Sequence, residues 1–176
     1  MKTFIVTSAL LILVPTSALA QSASGPDHTY RGDGYFFFGL GGGSFGGSGV
    51  VEHVGAGGEL NLYKGFGVAA ELGYAHWGRG GVGGTAWTPS TDLLLHLRGN
   101  KARGLVDPFV FAGASAYIPT AHGARGSPSV NLGGGVNLWF SKHTALRLEF
   151  RDYVTGTDEL APGANYASAR IGVTFR

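Results

Sequence analysis

The chain has 176 residues, a formal net charge of +2 and no cysteine. This near balance excludes a strongly basic nucleic-acid-binding surface, and the lack of cysteine excludes a disulfide framework or a lipid-attached N-terminal cysteine. Glycine is abundant at 32 residues, but it lies among aromatic and β-branched residues without a collagen period, so we expect one ordered domain.

Residues 1–20 have the pattern of a cleaved secretory signal. Lys2 supplies the positive charge, an apolar run extends from Phe4 to Val14, and Ala18-Leu19-Ala20 forms a small-residue cleavage site. The run is too short for a transmembrane helix, which needs about 20 apolar residues. We therefore predict cleavage after Ala20, a short segment over 21–34 and one domain over 35–176. Removing Lys2 leaves 12 of the 13 basic residues against 11 acids, a net charge of +1.

From Tyr35 onward the chain is predicted to form eight β-strands, because apolar residues recur with a period of two between turn residues. The predicted strands are Tyr35–Ser44, Val50–Tyr63, Phe66–Trp77, Ser90–Arg98, Pro108–Ile118, Ser129–Phe140, Ala145–Tyr153 and Tyr166–Arg176. Short connections at 64–65, 99–107 and 141–144 interleave with loops at 45–49, 78–89, 119–128 and 154–165 that are generally longer. Such alternation is typical of a membrane barrel with both termini at the end of the short connections.

One face of these strands is apolar and the other carries charges. The predicted apolar face consists of Phe36, Phe38, Leu40, Val54, Leu60, Leu62, Val68, Ala70, Leu72, Tyr74, Leu93, Leu95, Leu97, Val130, Leu132, Val136, Leu138, Phe140, Leu146, Leu148, Phe150, Ala167, Ala169, Ile171, Val173 and Phe175. The opposite face carries Glu59, Glu71, Asp92, Arg98, Arg147, Glu149, Arg151 and Arg170. In the fifth strand either Val110, Ala112, Ala114 and Ile118 or Phe109, Phe111 and Tyr117 face outward.

The four acids and four bases of the charged face sum to zero, which favours a paired ionic network in a barrel interior. An eight-stranded barrel is just wide enough for its side chains to fill it, and unpaired buried charges are costly. Glycines such as Gly39, Gly41, Gly133 and Gly135 would offset the volume of the arginines.

The prediction is an all-β, eight-stranded antiparallel up-and-down transmembrane β-barrel. Aromatic girdles would come from Tyr63, Phe66, Tyr74, Trp77, Trp87, Phe140 and Tyr153. The alternative is a soluble β-sandwich or lipocalin-like barrel whose polar face meets water.

Three segments near the C-terminus resemble a known family. These are residues 140–153 (FSKHTALRLEFRDY), 131–136 (NLGGGV) and 171–176 (IGVTFR). They are similar to the small bacterial outer-membrane β-barrel family, which includes opacity-like proteins and the membrane part of outer-membrane protein A. The resemblance covers residues 35–176 and implies the outer membrane of a Gram-negative bacterium, with residues 21–34 in the periplasm. It also implies that the barrel-assembly machinery reads a terminal aromatic residue, a role that Phe175 matches although Arg176 follows it.

We predict a monomeric, non-enzymatic protein with a structural or surface-contact role. Its expected partners are outer-membrane lipid, the assembly machinery and an extracellular ligand of the long loops, with no nucleic acid and no cofactor. Two alternatives stay open, a narrow pore for small solutes and a lipid A-modifying enzyme. An enzyme would need a Ser/His/acid grouping, for which His122, Ser127, His76 and Asp152 lie near one rim. The six histidines are scattered without metal-ligand spacing, so no metal site is predicted.

Overall fold

All eight predicted strands form, and they close into one antiparallel barrel. The computed structural model describes residues 32–44, 48–79, 82–97, 106–121, 126–155 and 165–176. The strands are β1 (Gly32–Ser44), β2 (Ser48–Tyr63), β3 (Phe66–Arg79), β4 (Val82–His96), β5 (Val106–Pro119), β6 (Ser127–Trp139), β7 (Thr144–Thr155) and β8 (Asn165–Phe175). Each strand pairs with the next, and β1 pairs with β8, so the sheet has no free edge. No helix in the described ranges is long and apolar enough to cross a membrane.

The strand register fixes the tilt of the barrel. A row of paired residues starts at Leu95 of β4 and passes through Val110, Gly134, Phe150, Ala169, Leu40, Glu52 and His76. The row returns to β4 at Thr85, ten residues from its start. A stagger of this size over eight strands requires a tilt of about 40° from the barrel axis. The interior is therefore narrow and must be filled by side chains.

Outward and inward faces have opposite chemistry, as β7 illustrates. Arg147 and Glu149 are only 2% and 6% exposed, whereas Phe150 on the other face is 56% exposed. Among residues whose side chains the structure describes, the outward face of the strands has Asp, Glu, His, Lys or Arg only at positions 52, 76 and 152. The ambiguous strand β5 points Phe109, Phe111 and Tyr117 inward and its aliphatic residues outward.

The two ends of the barrel are defined by their connections. The turn end holds connections 64–65, 97–105 and 140–143 together with both chain ends of the barrel, and the loop end holds the other four. Lys64 and Gly65 both have positive φ, at 48° and 91°, which gives the two-residue hairpin turn expected from the sequence. At each end the longest connection is of similar length, 97–105 and 156–164.

The predicted loop at 78–89 is wrong. β3 continues to Arg79 and β4 starts at Val82, so the two strands pair across most of this segment. Glycines suggested a loop, but Gly84 is needed in the strand because a Cβ there would lie 2.5 Å from the Trp77 ring. Pro89 also suggested a loop, and it interrupts the β4–β5 pairing between Trp87 and Ser90 because proline has no N–H to donate. The regular alternation of short and long connections is therefore absent.

Two residues assigned to the aromatic girdles face the interior instead. Tyr153 is 2% exposed, and Trp77 packs against the buried Tyr117 with ring centroids 5.6 Å apart. Both lie in phase with the inward residues of their strands, such as Arg151 in β7 and Ala75 in β3. The other five predicted girdle residues are not buried.

Candidate functional site

The barrel interior is built around three arginines from β7 and β8. The guanidinium group of Arg147 donates to Glu59 at 3.2 Å and to Glu149 at 3.0 Å. Arg151 contacts Asp92 and Glu149, both at 2.9 Å, and Arg170 contacts Glu71 at 3.0 Å and Glu149 at 3.2 Å. Glu149 thus accepts from all three arginines and is the centre of the network. We call these seven residues the ionic core.

Aromatic rings cover the guanidinium groups of the ionic core. Arg147 lies 4.3 Å from the ring centroid of Tyr35 and 4.1 Å from that of Phe109. Arg151 lies 4.2 Å from the ring of Phe111, and Arg170 lies 4.1 Å from the ring of Phe37. A cation over an aromatic face is stabilised by the ring quadrupole, and more strongly when it is shielded from water. The rings therefore complement the carboxylates in stabilising buried cations.

Inward glycines make room for these rings. A Cβ on Gly55 would lie 2.6 Å from the Phe37 ring, and one on Gly57 would lie 2.5 Å from the Tyr35 ring. On the other side of the barrel, a Cβ on Gly135 would lie 2.7 Å from Phe109. The interior is thus layered, with a glycine, then a ring, then a guanidinium group.

At the turn end a histidine extends the ionic core. The Nε2 atom of His96 lies 3.2 Å from Glu59, and its Nδ1 atom lies 3.1 Å from Asp107. Both ring nitrogens therefore face carboxylates, and the ring links Glu59 of the ionic core to Asp107 at the turn end. Beyond it, the Arg176 guanidinium contacts Asp33 at 3.2 Å and lies 3.5 Å from the Trp139 ring. Arg176 therefore adds an ion pair and a cation–π contact to the interior at this end.

At the loop end the interior becomes polar and then aromatic. Arg170 donates to Nδ1 of His53 at 2.9 Å, which leaves Nε2 to donate to the Thr88 hydroxyl at 2.7 Å. The rings of Tyr153 and Tyr166 are stacked with centroids 4.4 Å apart, and Tyr117 packs against Tyr166. Together with Trp77, Val51, Ala75 and Ala86, these tyrosines form a hydrophobic cluster across the barrel.

Seven of the eight residues proposed for the ionic network are described, and the structure brings all seven into one connected network. Arg98 lies outside the described residues. The sequence analysis did not assign Asp33, His53, Asp107 or Arg176 to the interior. Alternation could have found His53, which is in phase with Glu59 in β2, and Asp107, once the face of β5 was fixed. Phe175 lies at the outer surface, where its ring packs edge-on against Phe36 at 6.2 Å.

The grouping considered for an enzyme does not assemble from the residues that the structure describes. His76 lies on β3 and contacts Glu52 at 3.7 Å, whereas Asp152 lies on β7 between Leu132 and Ala167. Ser127 begins β6, and His122 falls outside the described residues. Within the described ranges no group of three or more His, Asp or Glu side chains is arranged to hold a metal ion.

Comparison with known proteins identifies the fold. No protein-family model matches the sequence, and no curated protein matches it in sequence. Among solved structures, Neisserial surface protein A aligns with a TM-score of 0.66 and 11% identity, over 82% of this chain and 96% of that one. The outer membrane enzyme PagL aligns at 0.54 and 15%, over 79% and 98%. The N-terminal β-barrel domain of Pseudomonas aeruginosa OprF aligns at 0.50 and 18%, over 82% and 100%.

These similarities define the class of the fold. The chain has the closed eight-stranded antiparallel barrel of small outer-membrane proteins, and the resemblance inferred from the sequence is confirmed at this level. At 11–18% identity these similarities establish the fold alone.

Proposed function

We propose that this chain is an integral protein of a Gram-negative outer membrane with a structural or surface-contact role and no enzymatic activity. The observation that carries the proposal is the inverted polarity of the barrel. Large apolar side chains such as Phe36, Leu93 and Phe140 are 45–71% exposed, while the ionic core is buried. A barrel in water would leave this apolar belt in contact with solvent, whereas a lipid bilayer solvates it.

The leader supports the same location. Its charged start, apolar run and small-residue cleavage site are the features of export, and no lipid-attachment cysteine is present. In this orientation the turn end and residues 21–34 face the periplasm, and the loop end faces outside. The exterior connections at 120–126 and 156–164 would then be the parts that meet a surface ligand, because binding residues are commonly carried by loops on a rigid scaffold.

The ionic core argues for a scaffold in preference to a channel. A pore needs a continuous water-filled path, but here guanidinium groups, carboxylates and rings occupy the middle of the barrel. Opening a path would separate buried ion pairs, which is costly. PagL shows that a barrel of this fold can be an enzyme, but the described residues of this chain bring no Ser/His/acid set together.

We expect the folded protein to migrate faster on an unheated detergent gel than after boiling, because a closed barrel resists unfolding by detergent. The sample should be an outer-membrane fraction, with the inner-membrane fraction as control. Recovery in the soluble periplasmic fraction would contradict the proposal.

Single-channel recording should show no conductance, and mass spectrometry of lipid A should show no difference between cells with and without the protein. A conductance would favour the pore, and a modified lipid A would favour the enzyme.

We also expect Phe175→Ala to reduce assembly in cells more than stability in vitro. Phe175 lies at the end of β8 on the outward face and contacts Phe36, so its removal leaves the ionic core intact. The measurement compares the outer-membrane level of the variant in cells with the rate and yield of its refolding into detergent micelles. The matched control is Phe150→Ala, which removes another outward phenylalanine from the middle of a strand. Equal losses for both variants would contradict a signal role for Phe175.

A further inference from the structure

We propose that the outward face of β2–β5 binds one glycolipid molecule, with its sugar headgroup on a polar row near the loop end and an acyl chain in a groove below. The inference rests on the proposed location in the outer membrane and adds a ligand class to it. Two separate features on the same four strands carry the argument, the groove and the polar row.

The groove is a gap in the apolar belt made by small side chains. It has a volume of about 560 Å³. Its middle is a row of paired residues, Gly58, Ala70, Thr91 and Ala114. The next row toward the turn end has the larger Leu60, Val68 and Leu93, followed by Ala112. A trough one residue row wide, bordered by leucine and valine, fits a single hydrocarbon chain.

The polar row lies closer to the loop end, on β2, β3 and β4 and on the residue that directly follows β5. Glu52 pairs with His76, and His76 pairs in register with Thr85. The Thr85 hydroxyl bonds to the Thr120 hydroxyl, and the Thr120 N–H donates to the Thr85 carbonyl at 2.9 Å. We call these four residues the polar row. It holds two of the three outward strand positions, among those whose side chains the structure describes, that carry Asp, Glu, His, Lys or Arg.

An aromatic pair separates the polar row from the groove. Tyr74 and Trp87 are neighbours in register, and their rings meet edge to face with centroids 5.1 Å apart. Trp87 is 46% exposed. An exposed aromatic face beside carboxylate, imidazole and hydroxyl groups suits a sugar, whose C–H face stacks on the ring while its hydroxyls form hydrogen bonds.

Charge and distance favour a sugar headgroup and a single lipid. The polar row has one carboxylate and neither lysine nor arginine, so it lacks the cationic donors that bind a phosphate group. Thr85 and Thr91 are six residues apart on β4, about 20 Å along the strand. At a tilt of about 40° this is about 15 Å along the membrane normal and about 13 Å sideways. Half of a bilayer core is also about 15 Å thick, so a lipid of the outer leaflet whose acyl chain leans sideways along the barrel wall reaches both features.

The chain contains a natural reporter for this site. Of its three tryptophans, Trp77 and Trp139 point inward, and Trp87 borders the proposed site. In a Trp77→Phe/Trp139→Phe variant, Trp87 is the remaining tryptophan. This variant would be inserted into phosphatidylcholine vesicles that contain one of two brominated lipids. One is glucosyl diacylglycerol and the other is phosphatidylcholine, and both carry the same brominated acyl chains. We expect the glucosyl lipid to quench Trp87 at about fivefold lower mole fraction, the factor that one hydrogen bond or stacking contact provides.

Two substitutions and one control test the site itself. Ala70→Leu fills the groove and Thr85→Val removes a hydroxyl, so each should abolish the preference for the glucosyl lipid. Ala169→Leu adds the same bulk on the outward face of β8 and should leave the preference unchanged. Gel migration without heating verifies that each variant is folded.

The outcomes separate this inference from the proposed function. Equal quenching by the two brominated lipids, or an unchanged preference in Ala70→Leu, would overturn the glycolipid site while the membrane location stands. A dimer in native mass spectrometry that Ala70→Leu dissociates would make the groove a contact between two copies, which also overturns it. Failure of the unmodified chain to float with vesicles would overturn the membrane location and the inference together.

Discussion

Replacing Glu149 by alanine is expected to lower the free energy of unfolding by about 3 kcal/mol, the lower part of the range for removing one partner of a buried ion pair. Glu149 accepts from Arg147, Arg151 and Arg170 at 2.9–3.2 Å. Each arginine keeps a second carboxylate after the substitution, which limits the loss. The measurement is urea unfolding in detergent micelles, followed by tryptophan fluorescence.

Two comparisons isolate the electrostatic part of this effect. Glu149→Gln keeps the volume of the side chain and removes its charge. Its free energy of unfolding should therefore fall by most of the amount expected for Glu149→Ala. Glu52→Ala breaks the exposed pair with His76, whose two side chains are 60% and 54% exposed, and exposed pairs contribute little. A loss in Glu149→Ala no larger than that in Glu52→Ala would contradict the central position of Glu149. A wild-type stability in Glu149→Gln would show that packing, and not charge, holds the ionic core.

Alternation predicted the faces of the barrel because a period of two is a property of the strand itself. In β7 it placed Leu146, Leu148 and Phe150 outside and Arg147, Glu149 and Arg151 inside, as the structure has them. In β5 the rule gave two answers because both faces are apolar. The structure selects the face with Phe109 and Phe111 for the interior, where their rings cover Arg147 and Arg151. The partners of these rings lie on another strand, so no local pattern in β5 reveals them.

The start of β4 could not be predicted for a related reason. Its first residues combine Gly83, Gly84 and Pro89, which usually mark a loop. In the barrel Gly84 is required by the ring of Trp77 on the neighbouring strand, and Thr88 bonds to His53 on β2. The pairings of the ionic core are similarly non-local. Glu59 and Arg147 are 88 residues apart in the chain, and only closure of the barrel brings them together.

Introducing a methyl group at Gly135 is expected to lower the free energy of unfolding by about 1–3 kcal/mol, the usual cost of adding volume to a packed interior. A Cβ at this position would lie 2.4 Å from the carbonyl oxygen of Leu148 and 2.7 Å from the ring of Phe109. The carbonyl is part of the β6–β7 pairing and cannot move away without breaking it. Urea unfolding of Gly135→Ala in detergent micelles measures the loss. Gly34→Ala is the matched control, because the nearest atom to its Cβ would be 3.9 Å away.

A second variant shows which contact is responsible. Adding Phe109→Leu to Gly135→Ala removes the contact with the Phe109 ring but leaves the contact with the Leu148 carbonyl. We therefore expect the double variant to be less stable than Phe109→Leu alone, by part of the loss that Gly135→Ala causes by itself. Equal stability of Gly135→Ala and Gly34→Ala would contradict the layered packing of glycine, ring and guanidinium group. The strand number and stagger fix the diameter of the barrel, so the wall cannot expand to admit extra volume. The space for the rings and the arginines must therefore be provided by glycines on the neighbouring strand, because these residues have no side chain.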